Sequence, residues 1–266
     1  MADVPHPLAA FIVGEIRRAR GAAGMTQEAF GRGAGFSASH VSAVEGETRA
    51  LTMDFIKGAD RALSNGGLFE RMVAKLGMPS WFLPWLDAER AAAQLRVFQP
   101  SLVPGLLQTE SYGRAVIRCD DTLSDDEVDR RLAHRLDRQG VLTQANAPQF
   151  IAVIAEAVLR RAGADFRDIM AGQIKHLTTL AERPNISVHV LPDEVSMHVG
   201  LTGPFSLARL PDHKWVGQME NQLGGVVVDS DTDVDTLVSR WETVRNEALS
   251  RRQSIELIEE VGTSWT

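Results

Sequence analysis

Glu156, His198 and Glu220 are the residues of the C-terminal part whose types could move protons. Glu156 directly follows the apolar run Gln149–Ala155, and sites commonly lie just past a strand of a mixed sheet. His198 opens the glycine-containing segment His198-Val199-Gly200-Leu201-Thr202-Gly203. Together with Arg160 and Phe205 these residues make a candidate ligand or partner site. They do not complete a catalytic set. The single cysteine, Cys119, falls in an expected helix with no evident activating base. No Gly-rich phosphate loop, metal pair or nucleophile elbow is present. We therefore expect no catalysis, no cofactor and no metal. Glu156 is expected to pair with Arg160 or Arg161, and His198 to serve as a hydrogen-bonded loop histidine.

The remaining polar groups with a recognisable purpose depend on the short helices that carry them. Leu8, Phe11, Ile12 and Ile16 repeat at helical spacing behind Pro7, and Gly21 and Gly24 end that helix. Thr26 is an N-cap for a helix over Gln27–Ala34, with Glu28 at its positive end. Gly35-Phe36-Ser37 supplies a turn glycine, an aromatic to bury and a new N-cap for Ala38–Glu45. Thr52–Leu63 and Leu68–Leu76 follow as helices, joined by Ser64-Asn65-Gly66-Gly67. Two helices crossing through a tight turn need a very small residue at their closest approach, and here that residue is Gly31. Phe30, Ala34, Phe36, Val41 and Val44 would fill the core around it.

This order, from Thr26-Gln27-Glu28 to Val41-Ser42-Ala43-Val44-Glu45, resembles the helix-turn-helix of the phage-repressor (Cro/C1, or XRE) family over about residues 8–63. The resemblance implies that Ala38–Glu45 is a recognition helix for the major groove of double-stranded DNA. Its outward positions are Ser37, Ala38, Ser39, Ser42 and Ala43, with His40 flanking. Gln27 would touch phosphate or brace a base contact, and Arg17, Arg18, Arg32 and Arg49 are candidate phosphate contacts. Ala38 and Ala43 stand where the family often carries Arg, Lys or Gln, so the arginine fork to guanine is missing. Serines, a histidine and methyl groups must supply the readout, which implies modest affinity per subunit and a homodimer.

Past Gly77-Met78-Pro79-Ser80 and the aromatic group Trp81, Phe82 and Trp85, the pattern becomes mixed. A helix is expected over Trp85–Gln94, then an apolar loop between Pro100 and Pro104, then a helix capped by Thr109. Ser124 and Glu127 form a capping-box pattern for a helix ending at Gly140, with Arg130, Arg131, Arg135 and Arg138 on a solvated, salt-bridged face. Strands are expected at Gln149–Ala155, Ile186–Val190, Phe205–Leu210, Lys214–Met219 and Gly225–Asp229. Helices are expected over Asp165–Glu182 and from Asp231 onward. The fold class is thus an all-α helix-turn-helix domain of about five helices (1–80), followed by a mixed α/β domain (81–266).

Four ordered segments carry a second resemblance. They are Gln99 to Thr109, Ala155-Glu156-Ala157-Val158-Leu159-Arg160-Arg161, Leu180 to Ile186, and His198 to Phe205. Taken with the N-terminal part, they make the chain, over about residues 8–260, similar to actinobacterial regulators in which an XRE helix-turn-helix precedes a DUF5753 domain. The resemblance implies a transcription regulator, with a C-terminal domain that dimerises, binds a small-molecule effector or recruits a partner. Many such regulators are encoded beside a small DUF397-type protein, so an antitoxin-like pairing, with DNA binding autoregulatory, is the alternative reading.

Charge separates the two parts. The chain of 266 residues has a formal net charge of −7, with 28 Lys+Arg against 35 Asp+Glu. Residues 1–80 hold 9 basic against 8 acidic residues, and residues 81–266 hold 19 against 27. A uniformly basic nucleic-acid coat is excluded; a local DNA-reading face is not. The first residues lack the order of a signal peptide and no apolar run reaches spanning length, so a cytoplasmic protein with no membrane contact is expected.

Overall fold

Short helices delimited by capping side chains and glycines build the first part of the chain. The computed structural model describes residues 7–49, 51–75, 83–161, 163–221 and 224–265. The expected boundary segment Gly77-Met78-Pro79-Ser80, with Trp81 and Phe82, lies outside them. Two compact units result: Met1–Ala91 with Gly224–Val227, and Ala92–Leu223 with Val228–Thr266.

The first unit contains α1 (Pro7–Ala22), α2 (Gln27–Ala34), α3 (Ala38–Glu45), α4 (Met53–Leu63), α5 (Leu68–Lys75) and α6 (Leu83–Ala91). Thr26, Ser37 and Thr52 cap α2, α3 and α4 by accepting from the backbone N–H groups of Ala29, His40 and Phe55. Each thereby satisfies one of the donors that a helix start leaves unpaired. The start of α5 is served from further away: the Asp60 carboxylate on α4 accepts from Phe69 N at 2.9 Å and Glu70 N at 3.0 Å. Ile12, Ile16, Phe30, Val41, Val44, Phe55, Ile56 and Phe69 close the core. Phe11 does not join it and is 51% exposed. The buried stripe of α1 runs through Ala9, Ile12, Val13 and Ile16, and Phe11 sits about 100° around the helix from Ile12.

The second unit is built on a sheet. Its strands are β1 (Gln94–Gln99), β2 (Gln149–Ala155), β3 (Ile186–Leu191), β4 (Phe205–Arg209) and β5 (Trp215–Asn221), ordered β3-β2-β1-β4-β5. A further strand, β6 (Gly224–Val228), has only its last residue in this unit. β1, β2 and β3 are parallel neighbours, whereas β4 runs antiparallel to β1 and to β5. Parallel pairing requires long crossovers, supplied by α7 (Glu110–Arg118) with α8 (Asp125–Arg138), and by α9 (Glu156–Arg160) with α10 (Arg167–Ala181). Strand β1 replaces the end of the helix expected over Trp85–Gln94, which stops at Ala91. The alternation of Gln94-Leu95-Arg96-Val97 is its signature, and its pairing with both β2 and β4 secures it.

The C-terminal helical stretch is two helices, α11 (Asp231–Glu247) and α12 (Arg251–Thr263), with Ser250 capping the second. Val234, Leu237, Trp241 and Val244 of α11 pack on Phe98, Val153, Phe205 and Leu207 of the sheet. Arg96, a cation on the same face, lies over the Trp215 and Trp241 rings at 4.6 and 5.8 Å and pairs with Glu242 at 2.8 Å. The open edge of β3 is closed by the turn into α12. Val190 N donates to Ser254 Oγ at 2.9 Å, and Val190 O accepts from Leu249 N at 2.8 Å.

Candidate functional site

The α2–α3 pair is fixed by how closely its backbones meet. A Cβ on Gly31 would lie 2.6 Å from the Phe36 carbonyl oxygen and 3.3 Å from Val41 Cγ2. Gly35 adopts φ 86°, a left-handed conformation that glycine takes without a Cβ penalty, and Gly35 N and Phe36 N both donate to Gly31 O. A second close approach has no counterpart in the sequence reading: a Cβ on Gly58 of α4 would meet Ala34 O at 2.5 Å. Arg61, one turn further along α4, donates to the same carbonyl at 3.2 Å.

With Val41, Val44 and Glu45 buried, Ser39 and Ser42 are exposed on α3 and Ala38 and Ala43 are half-buried beside them. Ser37, the N-cap, is exposed and shares a 3.0 Å hydrogen bond with Ser39. His40 turns inward instead. Its ring stacks on Phe55 at 5.8 Å and tilts against Phe36 at 4.5 Å, and its Nε2 is buried without a partner. Burial and then the charge of Arg49 hold its pKa below the usual histidine value, so the neutral ring is favoured.

Glu45 anchors the helix from inside. Its carboxylate accepts from Arg20 Nε at 2.6 Å, Arg20 Nη2 at 2.8 Å and Gln27 Nε2 at 2.8 Å. Burial alone would raise the Glu45 pKa. The hydrogen bonds from Arg20 and Gln27, with the charges of Arg20 and Arg17, outweigh it and hold the group ionised. The Gln27 amide nitrogen, a candidate for phosphate, is thus engaged in joining α2 to α3. Of the four candidate arginines, Arg18 pairs with Glu15 and Arg32 pairs with Glu28 at 2.6 Å, both within their own helices. Arg17 and Arg49 are exposed and, among the described residues, form no ion pair. Their electrostatic effects on Glu45 and His40 place them beside α3.

The five candidates of the second unit divide among three groups. Glu156 pairs with Arg160 at 2.7 Å and accepts from Asp193 N at 3.2 Å, while Asp193 accepts from Ala157 N. This arrangement ties the loop after β3 to α9. His198 and Phe205 both meet Phe98, at ring separations of 6.0 and 5.8 Å. The expected hydrogen bond at the His198 ring is missing on one side, since its Nδ1 is buried and unpartnered. Glu220 is exposed and accepts from Gln218 Nε2 at 3.1 Å. Among the described residues, no group of three or more His, Cys, Asp or Glu could hold a metal ion.

A polar network that the sequence reading missed surrounds the loop between Pro100 and Thr109. Gln108 Nε2 donates to Val103 O at 2.7 Å, Gln139 Nε2 donates to Gln108 O at 2.7 Å, and Val103 N donates to the Tyr112 hydroxyl at 3.2 Å. Gln173, fully buried on α10, donates to Leu107 O and accepts from Thr109 N, both at 2.8 Å. Prolines removed this segment from regular pairing, and glutamine amides satisfy the groups left behind. Arg135 completes the set by donating to Gln108 Oε1 at 2.7 Å. It is not on a solvated face, because Gly113 leaves room for its side chain, with the position of a glycine Cβ only 3.5 Å from Arg135 Cδ. The arginines that do bridge α7 and α8 are Arg114, to Asp129, and Arg118, to Asp125.

Residues 83–260 match a family model described as "Domain of unknown function (DUF5753)". The chain belongs to the DUF5753 family. No curated protein and no solved structure matches it. The DUF5753 match takes in all six strands and the network around Gln108, Arg135 and Gln173. Helices α1 to α5 lie outside it. Among the described residues, no helix of this DUF5753 protein is long and apolar enough to cross a membrane.

Proposed function

We propose that this protein is a DNA-binding transcription regulator of the XRE type that acts as a homodimer, and that its DUF5753 domain senses a small molecule or binds a small partner protein. The observation that carries the reading is the division of α3. Val41, Val44 and Glu45 lock its inner face to α1 and α2, while Ser39 and Ser42 present an outer face; Arg17 and Arg49 are exposed and near enough to α3 to act on Glu45 and His40. A short helix held rigidly from behind and polar in front suits major-groove docking, with flanking cations meeting phosphates. Its outer face has hydroxyls and methyl groups but no arginine or lysine, so one copy reads few base edges. Two copies on half-sites about 34 Å apart would supply the rest.

The test is fluorescence anisotropy of the full chain with DNA from upstream of its own gene, titrated at several salt concentrations. Arg17→Ala and Arg49→Ala should each lower the salt slope by about one and weaken binding similarly on all sequences. Ser39→Glu, Ser42→Glu should weaken specific binding by at least about tenfold, since it sets carboxylates against the DNA. Equal binding by that double variant would remove α3 from the groove.

A further inference from the structure

Arg135 of the second unit is a half-buried guanidinium that, among the described residues, has a neutral hydrogen-bond partner and no ion pair. Its stem is packed at Gly113, and Gln108 Oε1 is a neutral acceptor for one of its N–H groups. Among the described residues no carboxylate lies within ion-pairing distance. The Arg135 guanidinium has five N–H donors in a fixed fork, and Gln108 occupies one of them. Its nitrogens are not among the buried, unpartnered atoms, so the unused donors reach solvent. Burial and the charges of Arg138 and Arg131 both work against its charged form, and Glu220 and Tyr112 only partly oppose them.

We propose that Arg135 binds a small oxyanion, a carboxylate or phosphate group on a diffusible ligand, with Gln108 orienting the guanidinium fork. The planar fork matches such groups in two-point fashion, and the existing Gln108 bond removes one degree of freedom before the ligand arrives. The domain around it is acidic, 19 basic against 27 acidic residues over 81–266, so the attraction is local. Bound anion would link α8 to the clamped loop through Gln108, which holds Val103.

The full-length protein is unfolded thermally with rising sodium phosphate or sodium acetate, against sodium chloride at matched ionic strength and pH. Saturable stabilisation by phosphate or by acetate beyond chloride is expected, and whichever anion gives it names the ligand's acid group. Arg135→Gln should weaken the apparent affinity by about tenfold or more. Arg135→Lys, which keeps the charge but not the fork, should retain part of it and serves as the readout if Arg135→Gln fails to fold. Ser39→Glu, Ser42→Glu should leave the anion effect intact, which separates this site from the DNA reading. No saturable effect from either salt, or an undiminished effect in both Arg135 variants, would overturn the proposal.

Discussion

Replacing Gly31 by alanine should loosen the α2–α3 pair although alanine is the better helix former. The added methyl carbon would sit 2.6 Å from Phe36 O, nearly an ångström inside the contact optimum of about 3.5 Å. The clashing atom is backbone, so no side chain can swing away, and α3 must move off α2. Overpacking costs about 1–3 kcal/mol, and a backbone partner that cannot swing away puts this case at about 2–3 kcal/mol, against which alanine returns about 1 kcal/mol of helix propensity. A net loss of about 1–2 kcal/mol should speed hydrogen exchange at the Phe30 and Val41 amides by roughly 5–30-fold. Gly14→Ala is the control. It lies inside α1, its Cβ would meet nothing within 4 Å, and it should stabilise by about 0.5–1 kcal/mol. Exchange in Gly31→Ala no faster than in the wild type would refute the argument that close approach requires glycine here.

Two further outcomes follow from buried ionisable groups. Glu45→Ala leaves Arg20, whose side chain is only 16% exposed, without its carboxylate, and should cost about 3–5 kcal/mol in urea unfolding of the first unit. An Arg20→Met, Glu45→Met pair should recover much of that loss, and a double variant as unstable as the two single losses combined would contradict it. The buried His189 accepts from Arg245 Nη2 at 3.2 Å through Nε2, so its Nδ1–H donates to Leu249 O at 3.0 Å. Burial, with Arg245 and Arg251, lowers its pKa although the Leu249 bond opposes this. The unfolded chain therefore takes the proton first. Its contribution to stability is complete above about pH 6.5 and falls by up to about 1.4 kcal/mol per pH unit on acidification, until the folded ring itself titrates. Urea unfolding followed by tryptophan fluorescence should show a shallower acid slope in His189→Gln, and equal slopes would count against it.

The helices of the first unit were legible because each boundary is a local event. Thr26, Ser37 and Thr52 cap where their chemistry requires, and Gly31 and Gly35 stand where one turn of geometry demands no side chain. The outward placement of Ser39 and Ser42 followed from the same periodicity. His40 did not, because its inward turn depends on Phe55, which comes from another helix. Strand β1 was hidden for a similar reason: its neighbours β2 and β4 are far along the chain, and Leu95 pairs with Phe150 and Ala208.

By itself the sequence determined the fold class, the spacing of the helix pair and the chemistry of its outer face, since helical period, capping and close approach act within a few residues. Only the tertiary structure decided which polar groups are spent and which remain available. It engaged Gln27 with Glu45 and Glu156 with Arg160, separated Glu156, His198 and Glu220 into different neighbourhoods, and drew Arg135 onto Gln108. The physical reason is that burial and partnership are set by residues remote in the chain, whereas propensity is set by neighbours.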